Sequence, residues 1–86
     1  MLKTPKEILT ELAINAKALR RSKKISQKEM AERSGVSLGS IKRFESTGKI
    51  SLESLLMVAM VLKRLPDFEK LFTVENTPGT IDELFR

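Results

Sequence analysis

Apolar positions recur at three- and four-residue intervals along this chain and never alternate over the length of a strand, so the pattern predicts helices throughout. Thr4-Pro5-Lys6-Glu7 places a capping hydroxyl, a proline suited to a first turn and a glutamate where a capping box needs them. A first helix therefore starts there. Ile8, Leu12, Ala16 and Leu19, widened by Leu9 and Ala13, give it one buried face to about Ser22, and Lys23-Lys24 suit its C-terminal dipole end. Ser26-Gln27-Lys28-Glu29 repeats the capping box before a short helix with Met30 and Ala31 inward, which Gly35 stops. Ser37 caps a third helix by accepting from the amide of Gly39 or Ser40. Ile41 and Phe44 face its core, and it ends near Thr47-Gly48.

Ser51 opens a fourth helix in which Leu52, Leu55, Leu56, Val58, Ala59, Met60, Val61 and Leu62 cover most of the circumference, predicting a central position. Pro66 starts a short fifth helix that should put Phe68, Leu71 and Phe72 on the core. Residues 73–79 read as a polar connector with Pro78-Gly79, and Thr80-Ile81-Asp82-Glu83 offers one more capping box ahead of Leu84-Phe85. The fold class expected is all-α: one compact domain at residues 1–72, its two-helix motif at 26–45, and a tail at 73–86.

Composition narrows the function. With 41% apolar and 31% charged residues among 86, the chain is globular, and with neither Cys nor His it has no disulfide and none of the usual zinc or Cys/His catalytic arrangements. No cofactor, metal or catalytic residue is expected, nor is any Gly-rich phosphate loop found between a strand and a helix. The longest apolar run, residues 55–62, is far short of a membrane span, and the N-terminus lacks the apolar stretch of a signal peptide, so cytoplasmic residence is the expectation. Charge is uneven: residues 1–50 carry 12 Lys/Arg against 5 Asp/Glu, whereas 51–86 carry 4 against 6. The basic half is the candidate surface for a polyanion.

Two short helices joined by a tight Gly-containing turn are a generic helix-turn-helix. Here the string is fuller: Ala16-x-x-Leu19-Arg20, Ile25-Ser26-Gln27-x-x-Met30-Ala31, Ser34-Gly35-Val36-Ser37, Ile41-x-x-Phe44-Glu45, then Gly48-Lys49 and Ser51-Leu52-x-x-Leu55-Leu56. It closely resembles the phage repressor and Cro-like (XRE) family of transcriptional regulators. The resemblance implies a compact five-helix, lambda-repressor-like DNA-binding domain with a short C-terminal tail. It implies binding to a palindromic double-stranded DNA operator as a homodimer, repression of transcription, and no catalysis. Short family members also pair with a co-encoded toxin, so a protein-interaction module using the acidic, apolar C-terminal third is the alternative. Phe68, Leu71, Phe72, Ile81, Leu84 and Phe85 are the candidate contact residues for a second copy or such a partner.

On matching positions, the resemblance makes Gln27 a phosphate contact that also braces the recognition helix, and makes Arg20 and Glu45 a partly buried structural ion pair. Ser37, Ser40 and Arg43 would face the groove. The residues pointing away from Ile41 and Phe44 near the start of the recognition helix are Leu38, Gly39 and Lys42, the candidates for base reading. Lys42 would donate to guanine or else to a phosphate; Leu38 would meet a thymine methyl or lean on the neighbouring helix. Gly39 replaces a polar residue common in the family, so either the backbone approaches the duplex there or Lys42, Arg43 and DNA shape supply the specificity. Lys28 flanks the motif's first helix, and Thr47, Gly48 and Lys49 are expected to grip a phosphate through exposed amides and a cation.

Overall fold

A computed structural model describes residues 2–74, and among these every regular element is helical: α1 Pro5–Ser22, α2 Gln27–Ser34, α3 Leu38–Thr47, α4 Leu52–Val61 and α5 Pro66–Glu69. The further helical turn expected from Thr80, and the contacts expected of Ile81, Leu84 and Phe85, lie outside the described residues.

Four helices start on a hydroxyl. Thr4 Oγ1 accepts from the Glu7 amide and the Thr4 amide donates to Glu7 Oε1, both at 3.1 Å, completing the first capping box. The bond from the Thr4 amide, with a smaller contribution from the Thr4 hydroxyl, holds the Glu7 carboxyl below the usual carboxylate range. Ser26, Ser37 and Ser51 accept from the amides of Glu29, Ser40 and Ser54 at 3.0–3.1 Å. The second capping box is only half made, because the Glu29 carboxylate turns along its helix toward Arg33, 3.5 Å away.

α2 and α3 both stop on a glycine in the left-handed region, Gly35 at φ 76° and Gly48 at φ 80°. The two stops differ in their surroundings. Nothing lies within 4 Å of where a Cβ on Gly35 would be, whereas one on Gly48 would stand 2.7 Å from the Leu9 carbonyl oxygen. The N-terminal half of α1 thus runs directly over the end of α3, backbone against backbone.

The core gathers Ile25, Met30, Val36, Ile41, Val58 and Leu62, with Leu19, Ala31, Ile50 and Val61 packed around it. Ala13 and Phe44 are buried as well. α3 packs on α1 and α2, and α2 packs on α4. Buried Ser34 turns its hydroxyl to the Val36 amide at 3.1 Å, and no buried side-chain polar atom among the described residues lacks a partner.

Burial departs from the sequence expectation in three places. On α1, Ala13 is buried and Ala16 and Leu19 are half-buried, but Ile8, Leu9 and Leu12 stay exposed. α4 is not central: Val58, Ala59 and Leu62 are buried, while Leu52, Met57 and Met60 face outward. Both departures have one cause, since a domain this small has too few elements to cover two faces of any helix. α5 ends after four residues, so Leu71 and Phe72 never continue onto the face of Phe68; Phe72, at φ 58°, is fully exposed at 101%.

The crossing at Gly48 yields a stability prediction for urea unfolding. Gly35→Ala should cost about 1–2 kcal/mol, the ordinary penalty of a left-handed L-residue. Gly48→Ala should cost at least about 1 kcal/mol more, because its new methyl must displace main chain of α1. Equal losses would mean that α1 yields freely there.

Candidate nucleic-acid interface

The arrangement of α2 and α3 rests on one polar network. Arg20 on α1 sends Nε to Glu45 Oε2 at 2.7 Å and Nη2 to Glu45 Oε1 at 2.9 Å, a two-pronged contact across to α3. Its remaining arm, Nη1, donates to the Ile25 carbonyl at 2.6 Å, fixing the turn between α1 and α2. Gln27, first residue of α2, donates its amide to Glu45 Oε1 at 3.0 Å. Donors from α1 and α2 thus converge on one carboxylate of α3, and Arg20 ties the intervening turn to the same network.

The network is largely covered, with the Arg20 and Glu45 side chains only 9% and 7% exposed. Burial alone pushes the Glu45 carboxyl upward, but the hydrogen bonds from Arg20 and Gln27 and the charges of Arg20 and Lys17 outweigh it and hold the group below the usual carboxylate range. Lysine could not replace Arg20: it has one nitrogen, and this site uses three directions at once.

On α3, Ile41 and Phe44 are buried while Gly39, Ser40, Lys42, Arg43 and Thr47 are exposed and Leu38 is half-buried. The outward face therefore carries two cations with no carboxylate in its first turn. No atom lies within 4 Å of a Cβ built on Gly39, so packing does not require glycine there. Lys28 is exposed beside Gln27 on α2.

Hydroxyls meant for the groove are used internally. Ser37 Oγ accepts from the Ser40 amide and donates to Ser40 Oγ at 2.8 Å, so its one proton is spent; the Ser40 hydroxyl keeps its own. Thr47 Oγ1 donates to the Arg43 carbonyl at 2.7 Å and accepts from the Lys49 amide at 3.1 Å. The Gly48 amide is likewise engaged, on the Phe44 carbonyl at 2.7 Å. The expected grip by exposed amides is corrected accordingly: the loop spends its amides holding its own shape, and only the Lys49 side chain extends from it.

An open pocket of about 350 Å³ joins Ser40 and Arg43 of α3, Lys49 and Ile50 of the loop, and Ser51 and Ser54 at the start of α4. Ser51 and Ser54 were not legible as site residues, although Ser51 was as a cap. Their signal was the helix start directly after Lys49, where dipole and cation both favour an anion. Among the described residues no group of His, Cys, Asp or Glu could hold a metal ion, and no helix is long and apolar enough to cross a membrane.

The buried carboxylate makes stability depend on pH. Because Glu45 titrates lower in the folded protein than in the unfolded chain, its stabilisation is complete above the unfolded value and disappears as the pH falls through the folded one. Urea midpoints measured between about pH 7 and pH 3 should fall for the native chain and fall less steeply for Glu45→Gln. Arg20→Met strands the carboxylate and should cost about 3–5 kcal/mol at neutral pH. An unchanged acid limb in Glu45→Gln would remove the carboxylate from this role.

The geometry has a counterpart among known proteins: a family model described as helix-turn-helix matches residues 17–68, more than half of the chain. No curated protein and no solved structure matches it. The matched span runs from α1 through the Arg20–Glu45 network and both motif helices into α5. The chain belongs to the XRE/Cro-like helix-turn-helix family of DNA-binding transcriptional regulators.

Proposed function

We propose that this regulator is a repressor that binds a palindromic operator as a homodimer, with α3 of each copy in the major groove. The observation that carries the reading is the outward face of α3, where Lys42 and Arg43 stand exposed on a helix whose orientation is fixed by the buried Glu45 network. One short recognition helix spans only a few base pairs. Two-fold partners reading half-sites about 34 Å apart, one helical turn, would supply the missing specificity. A dimer seated on its operator excludes other proteins from the same DNA, which is repression by occupancy.

Within that docking, Lys42 reads a base and Leu38 borders the groove, while Gly39 brings bare backbone to the duplex. Gln27 divides its work: the amide nitrogen braces Glu45, and the start of α2 meets a phosphate. Lys28 flanks it. On the other side of α3, Ser40, Arg43 and Lys49 surround the pocket closed by Ser51 and Ser54, a size and charge suited to a second phosphate. Ser37 and Thr47 serve by shaping the ends of α3, as their internal hydrogen bonds support.

Selection of bound sequences from random DNA tests the proposal directly, with a palindrome of half-sites near one turn apart as the expected product. Against that site, Lys42→Ala should lose about 1–3 kcal/mol and lose less on random DNA. Lys28→Ala and Lys49→Ala should weaken both DNAs alike and each lower the salt dependence by about one counterion. Equal losses for all three would move Lys42 to the phosphate contacts. No enrichment at moderate salt would overturn the repressor reading itself.

A further inference from the structure

On the side of the molecule formed by α1, α4 and α5 lies an open cleft of about 530 Å³, walled chiefly by Leu12, Ala16, Leu55, Val58 and Phe68. None of its lining residues belongs to α2 or α3, so the cleft is separate from the proposed DNA-reading face. An apolar cleft of this size left to water is a standing cost in a domain with so small a core.

We propose that the C-terminal segment of this same chain occupies the cleft, with Ile81, Leu84 and Phe85 as its anchors. The three residues are spaced i, i+3 and i+4, the stripe one helical turn presents to a groove, and Thr80 and Glu83 supply a capping box for that turn. The chain leaves from the right place: Phe68 lines the cleft and the described residues end at Val74, six positions later. From Val74 to Ile81 an extended chain reaches up to about 23–25 Å, ample to return to a wall of the same small domain. Arg64 on the cleft wall is already paired with Asp67 on the same wall at 2.9 Å, so the docking rests on apolar contact and not on charge. Tethering decides against a second copy: a segment on so short a linker is present at about millimolar effective concentration, far above separate chains at micromolar levels.

The test needs no DNA, so its outcome is distinct from that of the repressor reading. The chain has no cysteine, which makes engineered pairs clean reporters. In full-length Ala18→Cys/Arg86→Cys, with Ala18 on the cleft wall and the three anchors intact, mild oxidation should close the disulfide within one chain. The rate should be independent of dilution and at least about tenfold above that of Arg33→Cys/Arg86→Cys, whose first cysteine lies on α2. A rate no higher than this control overturns the proposal. Disulfide-linked dimers that vanish on dilution overturn it too, placing a second copy in the cleft. A second readout avoids engineered bonds: Phe85→Asp should shift the methyl resonances of Leu12, Leu55 and Val58, and unmoved resonances would equally overturn it.

Discussion

The Glu45 carboxylate is the point on which the rest of this structure depends. It sits near the end of α3 and draws donors from α1 and from the first residue of α2, so that the angle between the two motif helices is set by directional bonds as well as by apolar contact. Apolar packing alone is tolerant of small rotations. A planar guanidinium gripping a carboxylate with two prongs while its third nitrogen holds the Ile25 carbonyl is not. For a protein whose ligand is a rigid duplex, a few degrees of helix rotation shifts an exposed side-chain tip by about half an ångström to an ångström, enough to spoil a directional hydrogen bond, so rigidity at this joint is part of recognition.

Around that joint the molecule is divided by charge and by covering. The basic half of the sequence folds into α1, α2 and α3, and its cations other than the buried Arg20 are left outward while the acidic balance collects in the C-terminal portion. The large apolar side chains that remain uncovered, such as Ile8, Leu52, Met60 and Phe72, lie on α1, on α4 and at the two ends of the described residues, and not on the motif helices. One group of surfaces is therefore suited to an anionic polymer and another to apolar company, and the core cluster between them joins the two.

What could be read from sequence follows the range of the forces involved. The starts of α1 to α4 were legible because an N-cap is a contact between a hydroxyl and an amide three residues on, and so was the stop at Gly35, which needs only a positive φ. Burial was less legible. Ile8 and Leu12 have the right spacing for an inner face, but whether anything covers them depends on residues distant in the chain. The inward placement of Leu71 and Phe72 required α5 to continue, and it stops after four residues. In the site, the family pattern marked Arg20, Gln27 and Glu45, whereas the internal use of the Thr47 hydroxyl and the meeting of Ser54 with Ser40 are products of how the loop closes. The contact between Gly48 and Leu9 had no local signal, because the two positions are brought together only by the crossing of α1 over α3.

Gly39 has a bearing on how such a regulator can change. It stands on the exposed face of α3, with open space where a side chain would begin and a backbone conformation that any residue adopts. Replacing it costs no packing, and almost any other residue would favour the helix more. The position is thus a vacant address on the recognition surface, at which a lineage could acquire a new base preference by one codon change while leaving the Glu45 joint and the core as they are. Gly48, capping the opposite end of the same helix, has no such latitude. Adaptability and constraint are separated here by less than three turns of helix.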